Sequence, residues 1–533
     1  MTGNLDYFMT TVFERILRVL VLSLLIITIS GLVVFSLTPH GIATSPDSLY
    51  YLYAAKSLTR GQGVSVPNFD VASESTDSPM TAWPPLYPVA LAAYLVNNSP
   101  ERGARFFNWT ALSILVLTFA WLLSQLGVPL LGVVIGSLLL FLQKSIAVIY
   151  AYAWSETLFL PLILISYSFG YQYRKHGQGR YLILATIFLI ATCYTRYVGL
   201  IFLLPLIMMV WLPGQTQFRN LLKVLGVSSC VVLAMLPIFL RNLELMGSIS
   251  GVVRARSEKT IVENLATVGD ILGYHLFGWA MWYVPVVIVS ILIWLIIFLY
   301  RRHSISNNKE LTRHDILWPL LWAGCYLGGI VELGAWKEFD SLDTRLISPA
   351  ILFIVLEVIV IAIWLRQLTG HVWVFLPFLL WGILSMMQGS IAYVAASQAQ
   401  DAQYPSSSFA NIQSRYLNLT VSSNIDWIKT VYKKLKLPPN DSVVISDFSR
   451  PMVLRYFINS QVRILPSRLD REVISRINRL GNGVLLIVTP EGMATLSNYY
   501  GEEEGRLQMI PEFLSYEAIV IRLPLALRPE DLN

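Results

Sequence analysis

The stretch YLILATIFLIATCYTRYVGLIFLLPLIMMVWL, residues 181–212, decides the architecture. It is apolar for longer than one bilayer crossing requires, which is roughly 20 residues. It is interrupted by Tyr194-Thr195-Arg196-Tyr197. A guanidinium inside an apolar run is costly in hydrocarbon and marks a break or a functional position. Read as two short helices meeting at Arg196, the stretch supplies two crossings. Read as one helix, it reverses the sidedness of every loop that follows.

Working outward, further runs long enough to cross a bilayer fall at 16–37, 107–126, 129–149, 155–173, 220–240, 277–300, 315–333, 346–366 and 371–395, which with the split gives eleven spans. The split also sorts the loop charges. Arg15 and Arg18, then Arg174, Lys175 and Arg180, then Arg219 and Lys223, then Arg301, Arg302, Lys309 and Arg313, and finally Arg366 all fall on one side. Short basic loops of this kind face the cytoplasm. The N-terminus is then cytoplasmic, and the loops 38–106, 241–276 and 334–345, with the C-terminal segment, lie outside. The first apolar run is too long for the core of a signal peptide and no Ala-x-Ala site follows it, so it is read as a retained span. The clusters Tyr150, Tyr152 and Trp154, and Trp279, Trp282 and Tyr283, fall at outer helix ends, where an aromatic belt is expected.

Composition agrees with a multi-span chain. Of 533 residues, 55% are hydrophobic and only 14% charged, which excludes an ordinary soluble protein. Charge is uneven: about 11% of residues 1–400 and about 22% of residues 401–533 are charged, which places a boundary between a membrane domain (1–400) and an extracytoplasmic one (401–533). The net charge of +6 is explained by the cytoplasmic loops and does not call for nucleic acid. Cys193, Cys230 and Cys325 lie in apolar runs without metal-ligand spacing, so no disulfide framework is implied. In the second domain, Ser442–Ser446, Val462–Leu465, Gly483–Val488 and Glu517–Leu523 read as strands separated by helical runs. That pattern predicts a small α/β fold with a mostly parallel sheet. It has no glycine-rich phosphate loop, so nucleotide binding is unsupported. Asp447 and Arg450 follow one of its strands, where α/β sheets bind ligands.

Chemistry concentrates in the first outer loop. Ser45-Pro46-Asp47-Ser48-Leu49-Tyr50-Tyr51 begins about ten residues beyond the first span. A carboxylate so close to hydrocarbon needs a task or a partner. Asp47, Tyr51, Ala55 and Leu58, followed by Gly61 and Gly63, have the spacing of a helix with the acid at its start. The simpler alternative for Asp47 is a helix cap. Arginines gather at outer ends: Arg102, Arg105, Arg196, Arg241, Arg254, Arg256 and Arg345. Arginine binds phosphate through a fixed fork of donors. Each arginine alone is better explained by a lipid headgroup or an ion pair, least easily Arg196, because it interrupts an apolar run. Glu156 opens a span after Trp154-Ser155 and has the alternatives of a cap or a pair with Lys144. Asp70, Glu74 and Asp77 read as solvated loop acids, with one of them a candidate ligand for a divalent metal. His275 stands alone, and no metal-ligand set is visible. These parts suit transfer of a sugar from a lipid phosphate, with Asp47 taking the proton of an attacking hydroxyl and arginines stabilising the departing phosphate.

The order of these features resembles the GT-C superfamily of polyprenyl-phosphate-sugar-dependent glycosyltransferases, in particular the branch of protein O-mannosyltransferases and lipid A aminoarabinose transferases. The resemblance runs over residues 10–366. It is carried by Asp47 after the first span, Tyr51, Ala55 and Gly61 beyond it, Pro84-Pro85-Leu86-Tyr87, Arg105, Ser155-Glu156, Thr195-Arg196-Tyr197, and Arg345 with Pro349. It implies a polytopic helical membrane glycosyltransferase of the bacterial plasma membrane. The expected reaction is inverting transfer, with Asp47 as general base and Arg196, Arg254, Arg256 and Arg345 on the lipid phosphate. Tyr51, Arg105 and Glu156 complete the expected binding set. The expected partners are a polyprenyl-phosphate sugar, the bilayer, and a glycolipid, polysaccharide or protein acceptor. Two departures stand out. Asp47 is followed by Ser48 where many members carry a second acid, and Trp83 stands where some relatives place a lysine before the Pro-Pro pair. The rival readings are a transporter or flippase, for which internal repeats are missing, and a polysaccharide polymerase, whose large outer loop would come late in the chain. A bare anchor for the C-terminal domain would need one span only.

Overall fold

The computed structural model describes residues 2–38, 42, 45–69, 77–211, 215–252, 254–277, 313–337 and 342–369, and five strand segments beyond residue 442. Two compact units emerge: Met1–Pro39 with Thr81–Tyr87 and Arg105–Gln398, and His40–Met80 with Pro88–Ala104 and Ala399–Asn533.

The first unit is helical. In chain order it contains α1 (Thr2–Leu37), most of α4 (Pro100–Gln125), α5 (Leu130–Phe141), α6 (Lys144–Ala151), α7 (Glu156–His176), α8 (Gly179–Thr195), a 3-10 turn (Tyr197–Phe202), α9 (Leu203–Val210), α10 (Gln217–Met246), α11 (Ile261–Phe277), α12 (Arg313–Trp336) and α13 (Thr344–Thr369). The labels α2 and α3 belong to Pro46–Thr59 and Leu86–Leu95. Among the described residues five helices are long and apolar enough to cross a membrane: Ile16–Leu37, Arg102–Gln125, Gln217–Met246, Leu317–Trp336 and Thr344–Trp364. The run expected as one span at 129–149 is instead a bent pair, α5 and α6, meeting at 59°. Its break holds Gln143, whose fully buried amide interrupts the apolar run. Helix α7 is long but diluted by polar residues, among them Ser166, whose Oγ donates to Ala185 O at 2.8 Å, and Ser168, whose Oγ donates to Leu164 O at 2.7 Å. The expected spans at 277–300 and 371–395, with Trp279, Trp282, Tyr283 and the Arg301 cluster, lie outside the described residues.

The expected break at Arg196 is present. Helix α8 stops at Thr195, and Arg196 is extended at φ −152°, ψ 134° before the 3-10 turn begins. A Cβ on Gly199 would stand 3.0 Å from the Cys193 nitrogen, so the turn folds back hard on the end of α8. Helices α7 and α8 form a hairpin closed by Gly177, left-handed at φ 68°, whose amide caps Tyr173 O.

Helix α13 is the axis of this unit. Of its span window 83% is buried, against 22% for those of α1 and α10, which carry outward-facing Val19, Leu20, Leu24, Leu233 and Leu240. Around α13 lies an aromatic layer. Phe202 stacks on Tyr326 at 4.9 Å and on Trp322 at 5.3 Å, Trp322 meets Phe353 at 5.3 Å, and Tyr167 meets both Trp322 and Phe353. Side chains of this size dominate core energetics through the area they remove from solvent.

The second unit contains α2, a two-stranded antiparallel ladder of β1 (Ser65–Pro67) and β2 (Asp77–Pro79), and most of α3. Helix α3 covers the apolar segment expected at 89–96. Its Leu91, Ala92 and Leu95 are buried, so it packs rather than crosses. The strands β3 (Val443–Ser446), β4 (Gln461–Ile464), β5 (Val484–Val488), β6 (Gln508–Met509) and β7 (Ile519–Arg522) form a five-stranded sheet of order β4-β3-β5-β7-β6. Both β4 and β5 run parallel to β3, whereas β7 is antiparallel to β5 and to β6. Four strands, β3, β4, β5 and β6, therefore run one way and β7 runs the other, so the sheet is mostly parallel with one reversed strand. The helices expected between these strands, and Asp447 and Arg450, lie outside the described residues.

Candidate functional site

Within the first unit, three separate chain segments bring charge to one place. The first is the corner between α6 and α7. Asn108, fully buried on α4, donates through Nδ2 to Tyr150 O at 2.9 Å and to Tyr152 O at 2.8 Å. These bonds hold the extended residues that lead into Trp154-Ser155-Glu156. Tyr152 and Trp154 stack face to face at 4.0 Å and 9°. Tyr150, Tyr152 and Trp154 are at most 8% exposed, so they are core residues and not the aromatic belt expected from sequence.

The second segment is the break in the 181–212 run. Arg196 forms an ion pair with Glu156 and also donates to Ser155 Oγ at 3.0 Å. Ser155 Oγ in turn donates to Glu156 Oε2 at 3.3 Å. The two charged side chains are 18% and 2% exposed, so the pair is largely out of water. A buried charge of this kind requires a partner. Glu156 is therefore Arg196's counter-ion, and neither of its two alternatives, a helix cap or a pair with Lys144, is what its carboxylate does.

The third segment opens α13. Arg345 Nε donates to Asp343 Oδ2 at 2.6 Å, while Asp343 Oδ1 accepts the backbone amides of Arg345 and Leu346 at 3.0 and 3.2 Å. Asp343 thus caps the helix and fixes the arginine at once. The guanidinium lies over the Trp154 ring, 4.9 Å from its centroid. Trp154 directly precedes Ser155 and Glu156, so this ring contact joins the third segment to the other two. Arg196, Glu156, Arg345, Asp343 and Trp154 are therefore one cluster. Its two arginines and two carboxylates balance in formal charge. Asp343 was not singled out from the sequence; its signal was an acid two residues before an arginine at a helix start.

Arg105 and Arg256 make contacts of their own. Arg105 donates through Nε to Thr38 Oγ1 at 3.1 Å and lies 4.6 Å from the centre of the Phe35 ring, which ties α4 to the end of α1. Arg256 is exposed and pairs its backbone with Lys337. Arg254 is half-buried on the same loop. That loop is fastened to the Trp83-Pro84-Pro85 corner. Asn242 Nδ2 donates to Tyr197 OH at 2.7 Å and to Ile249 O at 3.1 Å, and Thr81 Oγ1 donates to Gly251 O at 3.0 Å. Gly251 is left-handed at φ 73°, and a Cβ there would lie 2.0 Å from Thr81 O. Only glycine fits without displacement.

In the second unit, Asp47 lies in the first turn of α2, half-buried. It is not the cap. Ser45 fills that role, its Oγ accepting from Ser48 N at 3.3 Å, with Pro46 in the first turn as helix starts prefer. A carboxylate in the first turn sits where the helix dipole favours negative charge. One turn on, Tyr51 is 1% exposed and belongs to the core. Burial, and next the Asp47 carboxylate, push the Tyr50 phenol above its ordinary range. Asp77 accepts a 2.7 Å bond from Tyr53 OH. Asp70 and Glu74 lie outside the described residues, as does the side chain of His275. Among the described residues no group of three potential ligands for a metal ion occurs.

The fold is similar to that of ArnT. The structure of ArnT from Cupriavidus metallidurans bound to undecaprenyl phosphate matches with a TM-score of 0.54 at 12% identity, over 93% of this chain and 97% of that one. The apo ArnT structure matches with a TM-score of 0.58 at 14% identity over the same shares. At such identities the likeness is one of fold. No protein-family model and no curated protein sequence matches the chain.

Proposed function

We propose that this chain is a GT-C glycosyltransferase that moves a hexose or pentose from a polyprenyl-phosphate carrier to an acceptor hydroxyl. The reaction takes place at the outer face of the bacterial plasma membrane, with the N-terminus in the cytoplasm and the C-terminal sheet outside. The observation that carries the reading is the Arg196–Glu156 and Arg345–Asp343 cluster inside an apolar bundle of ArnT-like fold. ArnT is solved with undecaprenyl phosphate, a lipid phosphate of the class proposed here. The motif order that resembles the GT-C superfamily supports it independently. A glycolipid, polysaccharide or protein serves as acceptor.

In this reading the acceptor oxygen attacks the anomeric carbon from the face opposite the phosphate. Its proton passes to the Asp47 carboxylate as the new C–O bond forms. The bond from the anomeric carbon to the phosphate oxygen breaks, and its electron pair leaves with the lipid phosphate. Configuration inverts in the single displacement. Arg196 and Arg345 stabilise the charge gathering on the phosphate, with Arg254 and Arg256 as further cationic contacts and Tyr51 and Arg105 supporting the donor. Glu156 and Asp343 hold the two arginines in place before the donor arrives.

The test is sugar transfer from a radiolabelled panel of polyprenyl-phosphate sugars, by membranes carrying the wild type or Asp47→Asn. Transfer by the wild type, lost in the variant while donor binding persists, is the expected result and corresponds to a loss of about 10²–10⁴-fold for a general base. Equal turnover by both would remove Asp47 from the mechanism. A donor that crosses the bilayer unchanged would favour a flippase.

A further inference from the structure

Glu357 is a carboxylic acid inside the most buried span, 5% exposed, and neither of its oxygens has a hydrogen-bond partner among the described residues. The indole nitrogens of Trp318 and Trp322, 8% and 0% exposed, are likewise without an acceptor there. Helix register puts these groups side by side. Helices α12 and α13 pack closely along one another, connected through residues 337–343, and Trp322 meets Phe353 at 5.3 Å. In an antiparallel pair, one turn further from the connection on each helix brings residue 318 level with residue 357. Residues 353 and 357 share a face of α13, as residues 318 and 322 do of α12. Two orphaned donors and one orphaned acid therefore face each other across a single helix interface.

Each such group is destabilising if it stays unsatisfied in an apolar surrounding. Direct indole-to-carboxyl bonds are not made. The facing groups are N–H donors rather than ligands, which disfavours a metal cation. The cation beside Trp318, Arg174, is already engaged: its guanidinium lies 4.6 Å from the centre of the Trp318 ring and donates to Trp211 O at 3.0 Å. A molecule that both donates and accepts satisfies all three groups, and buried water commonly makes about three hydrogen bonds. We propose that Glu357, Trp318 and Trp322 form an internal water-binding site in which bound water bridges the carboxyl to the two indole N–H groups. The site is distinct from the arginine cluster. Glu357 lies twelve residues along α13 from Arg345, about 18 Å at 1.5 Å per residue.

Hydroxyl-radical footprinting by X-ray pulse tests the proposal on the full chain in nanodiscs. Radicals born from bound water label their neighbours even when a scavenger removes those in bulk water. Trp318 and Trp322 are expected to be labelled in the presence of scavenger, while exposed Trp336 and Trp211 lose their label under it. Glu357→Leu is expected to abolish the protected labelling and Glu357→Gln, whose amide still holds water, to retain it. If Glu357→Leu does not fold, Trp318→Phe takes its place, and labelling of Trp322 is expected to fall. Trp318 and Trp322 left unlabelled in the wild type would overturn the site. So would labelling unchanged by Glu357→Leu or Trp318→Phe, or labelling lost equally in Glu357→Gln.

Discussion

A guanidinium buried in an apolar bundle is stable only as half of a pair, and Arg196 has Glu156. Removing one partner of such a pair and leaving the other charge buried costs about 3–5 kcal/mol. Arg196 retains 18% exposure and Ser155 as a second partner, which places the cost toward the low end. Glu156→Gln is thus expected to lower the thermal midpoint clearly, with Glu156→Gln/Arg196→Met recovering part of the loss. Differential scanning fluorimetry in detergent reads both. Asn108 works by geometry rather than charge. Asn108→Ala leaves the Tyr150 and Tyr152 carbonyls short of a donor, at about 1–3 kcal/mol each. Because those carbonyls lead into Trp154-Ser155-Glu156, the variant is also expected to weaken binding of a polyprenyl phosphate, measured by isothermal titration on protein that remains folded. Asn108 shows what the sequence conceals. It looks like the start of an Asn-Trp-Thr glycosylation site, and its double bond to a corner 42 and 44 residues away has no local signature. Arg196 was visible because a charge in an apolar run contradicts its surroundings.

At the scale of elements, legibility follows periodicity. Apolar runs of span length disclosed α1, α10, α12 and α13, and short β-branched runs disclosed β3, β4, β5 and β7 to within a few residues. Direction is another matter. Nothing in Ile519–Arg522 distinguishes a parallel from an antiparallel neighbour, so the reversal of β7 within an otherwise parallel sheet has no local signature. The bend between α5 and α6 was equally hidden, because no proline or glycine marks residues 142–143. Aromatic residues at a helix end have the same composition in a belt and in a core, which is why Tyr150, Tyr152 and Trp154 were misread. The loop that fastens to Thr81 provides a test of its own. Gly251→Ala combines a left-handed backbone with a Cβ 2.0 Å from a carbonyl oxygen. Strain of this kind costs about 1–3 kcal/mol, and it falls where Thr81 Oγ1 and Asn242 Nδ2 hold the loop through Gly251 O and Ile249 O. Limited proteolysis is expected to cut near residues 247–252 faster in the variant than in the wild type, with the rest of the digest unchanged.

For the molecule as a whole, the division between core and lipid-facing helices sets what the bilayer touches. Val19, Leu24 and Leu233 are 63%, 67% and 65% exposed on helices α1 and α10. A bilayer-dissolved carbene label is expected to enter α1 and α10 heavily and to leave the 350–356 stretch of α13 unlabelled; the reverse pattern would mean that the bundle is assembled around a different axis. Lipid is an undemanding neighbour, since one branched side chain satisfies it as well as another. Helices α1 and α10 are therefore free to drift over generations so long as they stay apolar. Helix α13, where Ala350, Ile351, Leu352, Phe353, Val355 and Leu356 are each wholly enclosed, carries the fold's memory: its side chains answer to fixed neighbours on every side and can change only in concert with them.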